Sequence, residues 1–158
     1  MTMRITERLK AEHGVFLFQL DHLENLVRRH APRDILQAVV ETIASAEQHH
    51  SAIEDRLLIP ALIEAIGREF PLLKKSEREH EEVHKLVESI RSGSFDEKTI
   101  TSFVELLRKH LEREIHDVFG LADDMIPPEK LASMSNWDVD HLHEANGRRK
   151  PWPEKFLG

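Results

Sequence analysis

Apolar residues recur along the chain at alternating steps of four and three, the spacing that places them on one face of an α-helix. The first such stretch spans residues 5–30. Its repeating positions are Leu9, His13, Phe16, Leu20, Leu23 and Val27. Pro32 predicts the end of this helix, with Asp34 as the N-cap of the next. A histidine therefore occupies one position of an otherwise apolar stripe.

Three further stretches have the same period. The repeating positions of the second are Leu36, Val39, Ile43, Ala46, His50, Ile53 and Leu57. Pro60 predicts a kink in this helix and Gly67 its end. The third is predicted to begin at Pro71, with repeating positions Leu73, Glu77, His80, His84, Val87 and Ile90. The fourth follows a predicted capping box at residues 94–97 and precedes Pro127, with repeating positions Ile100, Phe103, Leu107, His110, Glu114, Val118 and Leu121.

Four amphipathic helices joined by short loops predict an all-α fold, an up-down-up-down four-helix bundle with a short C-terminal extension. We assign residues 1–126 to the bundle and residues 127–158 to an extension packed on or beside it. Short helices are predicted within the extension around Glu129–Met134 and Trp137–Ala145. Trp137 and Trp152 are expected to cover the bundle, with protein binding as the alternative role.

The composition excludes several kinds of site. The chain of 158 residues has no cysteine and no tyrosine, which rules out thiolate metal sites, disulfides and a tyrosyl radical. A net charge of −7 argues against a nucleic-acid partner. The N-terminal residues are charged and no apolar stretch is long enough to span a membrane, so a cytoplasmic protein without a membrane partner is expected. The 11 histidines are an unusually large number for this length.

Histidines and carboxylates form pairs at helical spacing on the predicted inner faces. The candidate ligands are His13, His50 with Glu54, His80 with His84, and His110 with Glu114. Residues four apart lie one turn apart on one helix face, so each pair can point two ligand atoms at one place. His13 and His50 lie 19 and 18 residues from Pro32, Glu54 and His80 each lie 13 from Gly67, and His84 and His110 each lie 13 from Glu97. All seven are therefore expected at a common level, about 20–28 Å from the loops.

A single histidine on a helix seam is usually a hydrogen-bonded core residue, but buried carboxylates without partners are costly. Bound cations would satisfy the whole set, and seven ligands favour two ions bridged by Glu54 and Glu114. Imidazole with carboxylate suits iron, manganese, zinc, copper or nickel. His49 adjoins His50 and is the competing candidate for its place among the ligands. The remaining histidines are expected at the surface: His22, His30, His116, His141 and His143.

The candidate ligands follow one another in a fixed order: His13, His50-x-x-x-Glu54 with Pro60 downstream, His80 with His84, and His110-x-x-x-Glu114. This ordered set resembles the hemerythrin-like, or HHE cation-binding, family over about residues 5–126. The resemblance implies a non-haem site of two iron ions bridged by the two carboxylates, although other divalent metals are possible. It implies that His80, His84 and His110 bind one iron. His13 and His50 would bind the other, which keeps an open position for a small molecule such as dioxygen. Oxygen-carrying hemerythrins have an Asp five residues after the helix-four His, whereas Glu114 follows His110 by four, which weakens the prediction of an oxygen carrier.

The function expected is the binding of dioxygen or a related small molecule, for oxygen, iron or nitric oxide handling or sensing. Six apolar residues near the ligands are predicted to wall the pocket: Phe16, Ile53, Leu57, Val83, Val87 and Leu107. No catalytic residue is predicted, and a binding or sensing protein, with a protein partner reached through the tail, is favoured over an oxidase or peroxidase.

Two other classes of protein fit parts of the sequence. A ferritin-like di-iron oxidase or ferroxidase would use the motifs Glu47-x-x-His50 and Glu81-x-x-His84, but Glu47 and Glu81 also fit solvated helix-surface charges. A metal-free helical interaction module would stay intact or become more stable when His50 and His110 are replaced by leucine.

Overall fold

The computed structural model describes residues 3–93 and 95–135, and every regular element in those residues is helical. The elements in chain order are α1 (Ile5–Arg28), α2 (Arg33–Ile53), a π-helical turn (Glu54–Leu58), α3 (Ile59–Ile66), α4 (Pro71–Arg91), α5 (Glu97–His116), α6 (Val118–Met125) and α7 (Pro128–Ser135). The prediction of an all-α helical bundle is confirmed. The predicted start of the third long helix at Pro71 is also confirmed.

Two predicted helix caps differ in the structure. Pro32 is the N-cap of α2, so Asp34 lies in the first turn of the helix and not at its cap. Asp96 caps α5, because its carboxylate accepts a hydrogen bond from the backbone N–H of Thr99 at 2.7 Å. The predicted capping residue Ser94 lies outside the described residues.

The second predicted helix is interrupted just before Pro60, at the π-helical turn. The backbone N–H of Ile59 donates to the carbonyl of Glu54, five residues earlier, which is the wider π-type register. Pro60 has no N–H to donate, so it stands at the beginning of α3, where a missing donor is tolerated. Gly67 ends α3 with φ of 90°, a conformation that glycine adopts without strain. The interruption thus falls at Glu54, one of the candidate ligands.

The long helices enclose two apolar clusters. Helix α1 packs against α2 and α5, and α4 packs against α5 and more weakly against α2. One cluster uses α1 from Phe16 onward and α5 up to Leu111. The other uses α1 up to Leu9 and the chain from Val118 onward. Buried polar residues occupy the intervening level: His13, Glu47, His50, Glu54, Ser76, His110 and Glu114. The fold therefore presents its candidate ligands between two apolar layers.

The buried face of α4 differs from the predicted one. Its buried residues are Leu73, Ser76, Val83, Val87 and Ile90. With His80, whose side chain is 11% exposed, they form a strict alternation of three- and four-residue steps. Glu77 and His84 are exposed, one position away from this face, because a helix turns about 100° per residue. The predicted seam through Glu77 and His84 is therefore wrong.

Helix α7 corresponds to the short helix predicted around Glu129–Met134 and lies against α1. Leu131 is fully buried in the same apolar cluster as Ile5 and Leu9. The predictions for Trp137–Ala145, Trp152, His141 and His143 fall outside the described residues. Among the described helices, none has an apolar stretch long enough to cross a bilayer.

Candidate metal centre

Six of the seven predicted ligands meet in the polar layer between the two apolar clusters. They form two groups, and within each group one ligand atom per residue lies within 4.8 Å of the others. The first group is His13, His50, Glu54 and Glu114. The second group is Glu54, His80, His110 and Glu114. The two carboxylates belong to both groups, so the described residues contain two adjoining groups that could each hold a metal ion.

Both shared carboxylates reach the two groups, Glu54 through a different oxygen for each group and Glu114 through the same oxygen. In Glu54, Oε1 lies 3.1 Å from His50 Nε2, and Oε2 lies 3.3 Å from His80 Nε2. In Glu114, Oε2 lies 3.3 Å from His110 Nε2 and 3.7 Å from His13 Nε2. A carboxylate with one oxygen toward each of two sites can bridge two cations.

Each histidine of the two groups uses its Nδ1 to donate a hydrogen bond away from the centre. His13 Nδ1 donates to the Leu111 carbonyl at 3.0 Å, and His50 Nδ1 donates to Glu12 Oε2 at 2.7 Å. The acceptors for His80 of α4 and His110 of α5 are both carboxylates. His80 Nδ1 donates to Asp55 Oδ1 at 3.2 Å, and His110 Nδ1 donates to Glu79 Oε2 at 2.9 Å. Because carbonyls and carboxylates only accept, the proton of each neutral imidazole is assigned to Nδ1, and its Nε2 lone pair then faces the centre. This is the arrangement by which proteins orient metal-binding imidazoles.

The three acceptor carboxylates were missed in the sequence, although their positions follow a simple rule. Glu12 precedes His13, Asp55 follows Glu54, and Glu79 precedes His80. Each is the chain neighbour of one ligand but hydrogen-bonds a ligand from a different helix. Adjacency in sequence could have marked them as candidates, but only helix packing determines which imidazole each one meets.

The charges of these groups shift their proton affinities. Burial lowers the pKa of His50, but the negative charge of Glu54 and the hydrogen bond to Glu12 outweigh burial and raise it to about 10. Burial raises the pKa of Glu54, but the positive charge of His50 and the other imidazoles around it together outweigh burial and hold the pKa well below its usual value. Protons and cations thus compete for the same inward-facing atoms.

Within the part of the chain that the structure describes, several ligand atoms that face the centre have no hydrogen-bond donor, and a bound cation would satisfy them. His13 Nε2 and His50 Nε2 lie 2.7 Å apart, and with both Nδ1 atoms protonated their lone pairs face each other unless a positive charge lies between or beside them. Within the described residues, four further buried atoms at the centre have no hydrogen-bond partner, namely both oxygens of Glu54, Glu114 Oε2 and His80 Nε2. Unpartnered buried carboxylate oxygens are costly. Nitrogen and oxygen donors of this kind fit iron, manganese or zinc.

His84 is the predicted ligand that the structure does not bring to the centre. Its side chain is exposed, it belongs to neither group, and its Nδ1 lies 3.4 Å from Gln48 Nε2. Ser76 lies one turn before His80 on the buried face of α4 and donates to Glu114 Oε1 at 2.6 Å. The choice of His50 over His49 agrees with the grouping, since only His50 is a member.

The predicted pocket residues are divided between the two clusters. Phe16, Val83, Val87 and Leu107 are buried in one, whereas Ile53 is buried in the other and Leu57 is packed against it. A polar cavity of about 270 Å³ instead reaches the outer side of the centre at His80. Its other lining residues are Asp55, Ile59, Pro60, Ile63, Arg68 and Glu77. His80 is also the most exposed of the six ligands, so this cavity gives the described centre a contact with solvent.

The two predicted glutamate surface charges have different environments. The Glu81 side chain is 68% exposed, as predicted for a solvated charge. Glu47 is only 4% exposed, so the same prediction was wrong for Glu47. Burial raises the pKa of the Glu47 carboxyl, against the opposing charges of His80, His110 and His50.

Comparison with curated proteins and with solved structures gives no match. The family model described as the hemerythrin HHE cation-binding domain matches residues 4–122. The matched range covers α1 to α5 and most of α6, and it includes all six residues of the two groups. The chain belongs to the hemerythrin HHE cation-binding domain family.

Proposed function

We propose that the protein binds two iron ions in the two groups of the metal centre and handles dioxygen or a related small molecule there. His13 and His50 would hold one ion, His80 and His110 the other, and Glu54 and Glu114 would bridge them. The observation that carries this proposal is the convergence of buried ligand atoms without hydrogen-bond partners among the described residues. Membership of the family adds that a cation is the expected partner of these atoms.

The fold suits this role, and we include its finer topology in the proposal. Four long helices, α1, α2, α4 and α5, would run up-down-up-down, with residues 1–126 as the bundle and residues 127–158 as an extension. That topology brings residues equally distant from a loop to one level, where the ligands lie.

Bound iron would supply electron transfer and coordination of a small molecule. The residues of this chain orient the imidazoles, exclude water from most of the centre and leave one side accessible. His13 and His50 are 0% and 2% exposed, while His80 faces the polar cavity. We therefore infer that small molecules approach from the His80 side, and not at the His13 and His50 ion that the family resemblance suggested.

A ferritin-like oxidase is supported less well. That class needs both Glu-x-x-His motifs at the centre, and here Glu81 and His84 are exposed. A metal-free interaction module leaves the buried oxygens of Glu54 unexplained.

The test is the metal content of the full chain purified after expression with added iron, with an absorption spectrum of the same air-exposed sample. We expect about two irons per chain and near-ultraviolet bands of oxo-bridged ferric iron that disappear in His50→Ala. His22→Ala, which changes an exposed histidine of α1, is the matched control and should keep both ions. Absence of metal, or a single zinc that survives His50→Ala, would refute the proposal.

A further inference from the structure

Glu47 is a buried acid that is not among the six ligands of the proposed metal centre. It lies on α2 one turn before His50, and the steps from Glu47 to His50 and from His50 to Glu54 are three and four residues. All three side chains are therefore on the inner face of the helix, and all three are buried. Glu47 is thus at the same polar layer as the ligands, next to the apolar cluster that contains Ile43 and Ala44.

Charged groups of the centre act on the Glu47 carboxyl. These groups are His80 of α4, His110 of α5, His50 of α2, and Glu54 of the π-helical turn that follows α2. His80 and His110 have the largest effects, and both belong to the second group. The charges of the second group therefore act on the Glu47 carboxyl, and the buried position of Glu47 on the inner face of α2 places it in the same polar layer.

The second group provides fewer coordinating atoms than iron or manganese usually binds. It offers two imidazoles and two carboxylates, and both carboxylates are shared with the first group. The predicted third histidine, His84, is exposed, and the buried residue one turn before His80 is Ser76, which donates to Glu114. Iron and manganese usually take more than four donors, so a further oxygen ligand is needed from the protein or from solvent.

The energetics of Glu47 point to the same role. A glutamate that is only 4% exposed loses hydration whether it is ionised or neutral, and leucine at this position would avoid that loss. Its exposed counterpart with the same spacing to a histidine, Glu81, has no such cost. A buried acid beside a cation site is compensated when the cation is bound.

We propose that Glu47 is an additional carboxylate ligand of the ion held by His80 and His110. The inference rests on the proposed function, because it requires that ion. Glu47 is not among the atoms that already lie within 4.8 Å of one another, so its flexible side chain must rotate toward the ion on loading. A glutamate has three side-chain torsions with which to do so.

The experiment compares Glu47→Gln and Glu47→Leu with Glu81→Gln and Glu81→Leu in the full chain. Each variant is titrated with Co²⁺ against a competing chelator, and the visible spectrum is recorded. Loss of a ligand lowers the coordination number, and Co²⁺ absorbs more strongly as its coordination number falls. We expect both Glu47 variants to bind the second Co²⁺ at least about tenfold more weakly and with a more intense spectrum, while both Glu81 variants match the wild type.

The stability of the chelator-treated protein separates a ligand from a merely structural residue. If Glu47 is retained for the ion, Glu47→Leu should raise the urea midpoint of the metal-free protein while weakening metal binding. Unchanged cobalt affinity and spectrum in both Glu47 variants would overturn the inference while leaving the two-ion proposal intact. Failure of the wild type to bind two ions would instead overturn the proposed function.

Discussion

Replacing Glu12 by glutamine should weaken one of the two ions selectively. Glu12 Oε2 accepts the Nδ1 proton of His50 at 2.7 Å, and Oε1 accepts a hydrogen bond from Arg8 Nε at 3.0 Å. Glutamine retains the shape and one acceptor oxygen but removes the negative charge. The imidazole then becomes a weaker donor to the metal, and its orientation is less firmly fixed.

The magnitude follows from the exposure of the carboxylate. Loss of such an outer partner typically reduces metal affinity by about 10–100-fold, equivalent to about 1.4–2.7 kcal/mol. The Glu12 side chain is 31% exposed, so water can replace part of its effect, and we expect about a tenfold loss. Glu79 is 13% exposed and also pairs with Arg113, so Glu79→Gln should approach the upper end of that range.

The assay is a double-mutant cycle on metal affinity measured by chelator competition. Glu12→Gln should have no further effect on the remaining ion in a His50→Ala background, but its full effect in a His80→Ala background. Glu82→Gln, an exposed change on α4, is the control. A Glu12→Gln effect that persists unchanged in His50→Ala would refute the assignment of this pair to one ion.

Three further outcomes are expected. His84→Ala should leave the metal content unchanged, because its exposed ring is outside both groups, whereas His80→Ala should lose metal by elemental analysis. The metal-free protein should lose stability as pH rises from about 6.5 to about 10, because the raised pKa of His50 means that the folded state holds a proton which the unfolded state releases. The urea midpoint measured across this pH range checks the prediction, and a midpoint that increases with pH would contradict it. Phe103→Ala should lower the free energy of unfolding by about 3–5 kcal/mol, because the ring is fully buried, and a loss below about 1 kcal/mol in urea unfolding would contradict this.

The periodic pattern was sufficient for the helices and for most of the ligands. Alternating three- and four-residue steps are a local property of a helix, so His13, His50 and His110 could be placed on inner faces without knowing the neighbours. Six of seven predicted ligands meet in the structure because all four long helices bury the seams on which they lie.

The pattern was ambiguous where two adjacent residues each fitted a seam. On α4, the three- and four-residue steps allow either Val83 or His84 on the buried face. His84 was predicted there because it lies four residues after His80, a spacing that suits a pair of metal ligands. Burying Val83 and Ser76 in place of His84 and Glu77 removes more apolar surface from water and leaves fewer charged groups buried, and the helix is rotated accordingly. The same local pattern could not distinguish Glu47 from Glu81, since burial depends on which helix lies opposite.

Helix periodicity, the ligand types and the family resemblance were thus available from the chain alone, because they depend on residues close in sequence. Only the tertiary structure decided which carboxylate orients which histidine, since Glu12 meets His50 across 38 positions and Glu79 meets His110 across 31. It also decided that the centre contacts solvent at His80 and that Glu47 is buried. These features depend on the rotation and height of one helix against another, and the packing of whole faces determines both.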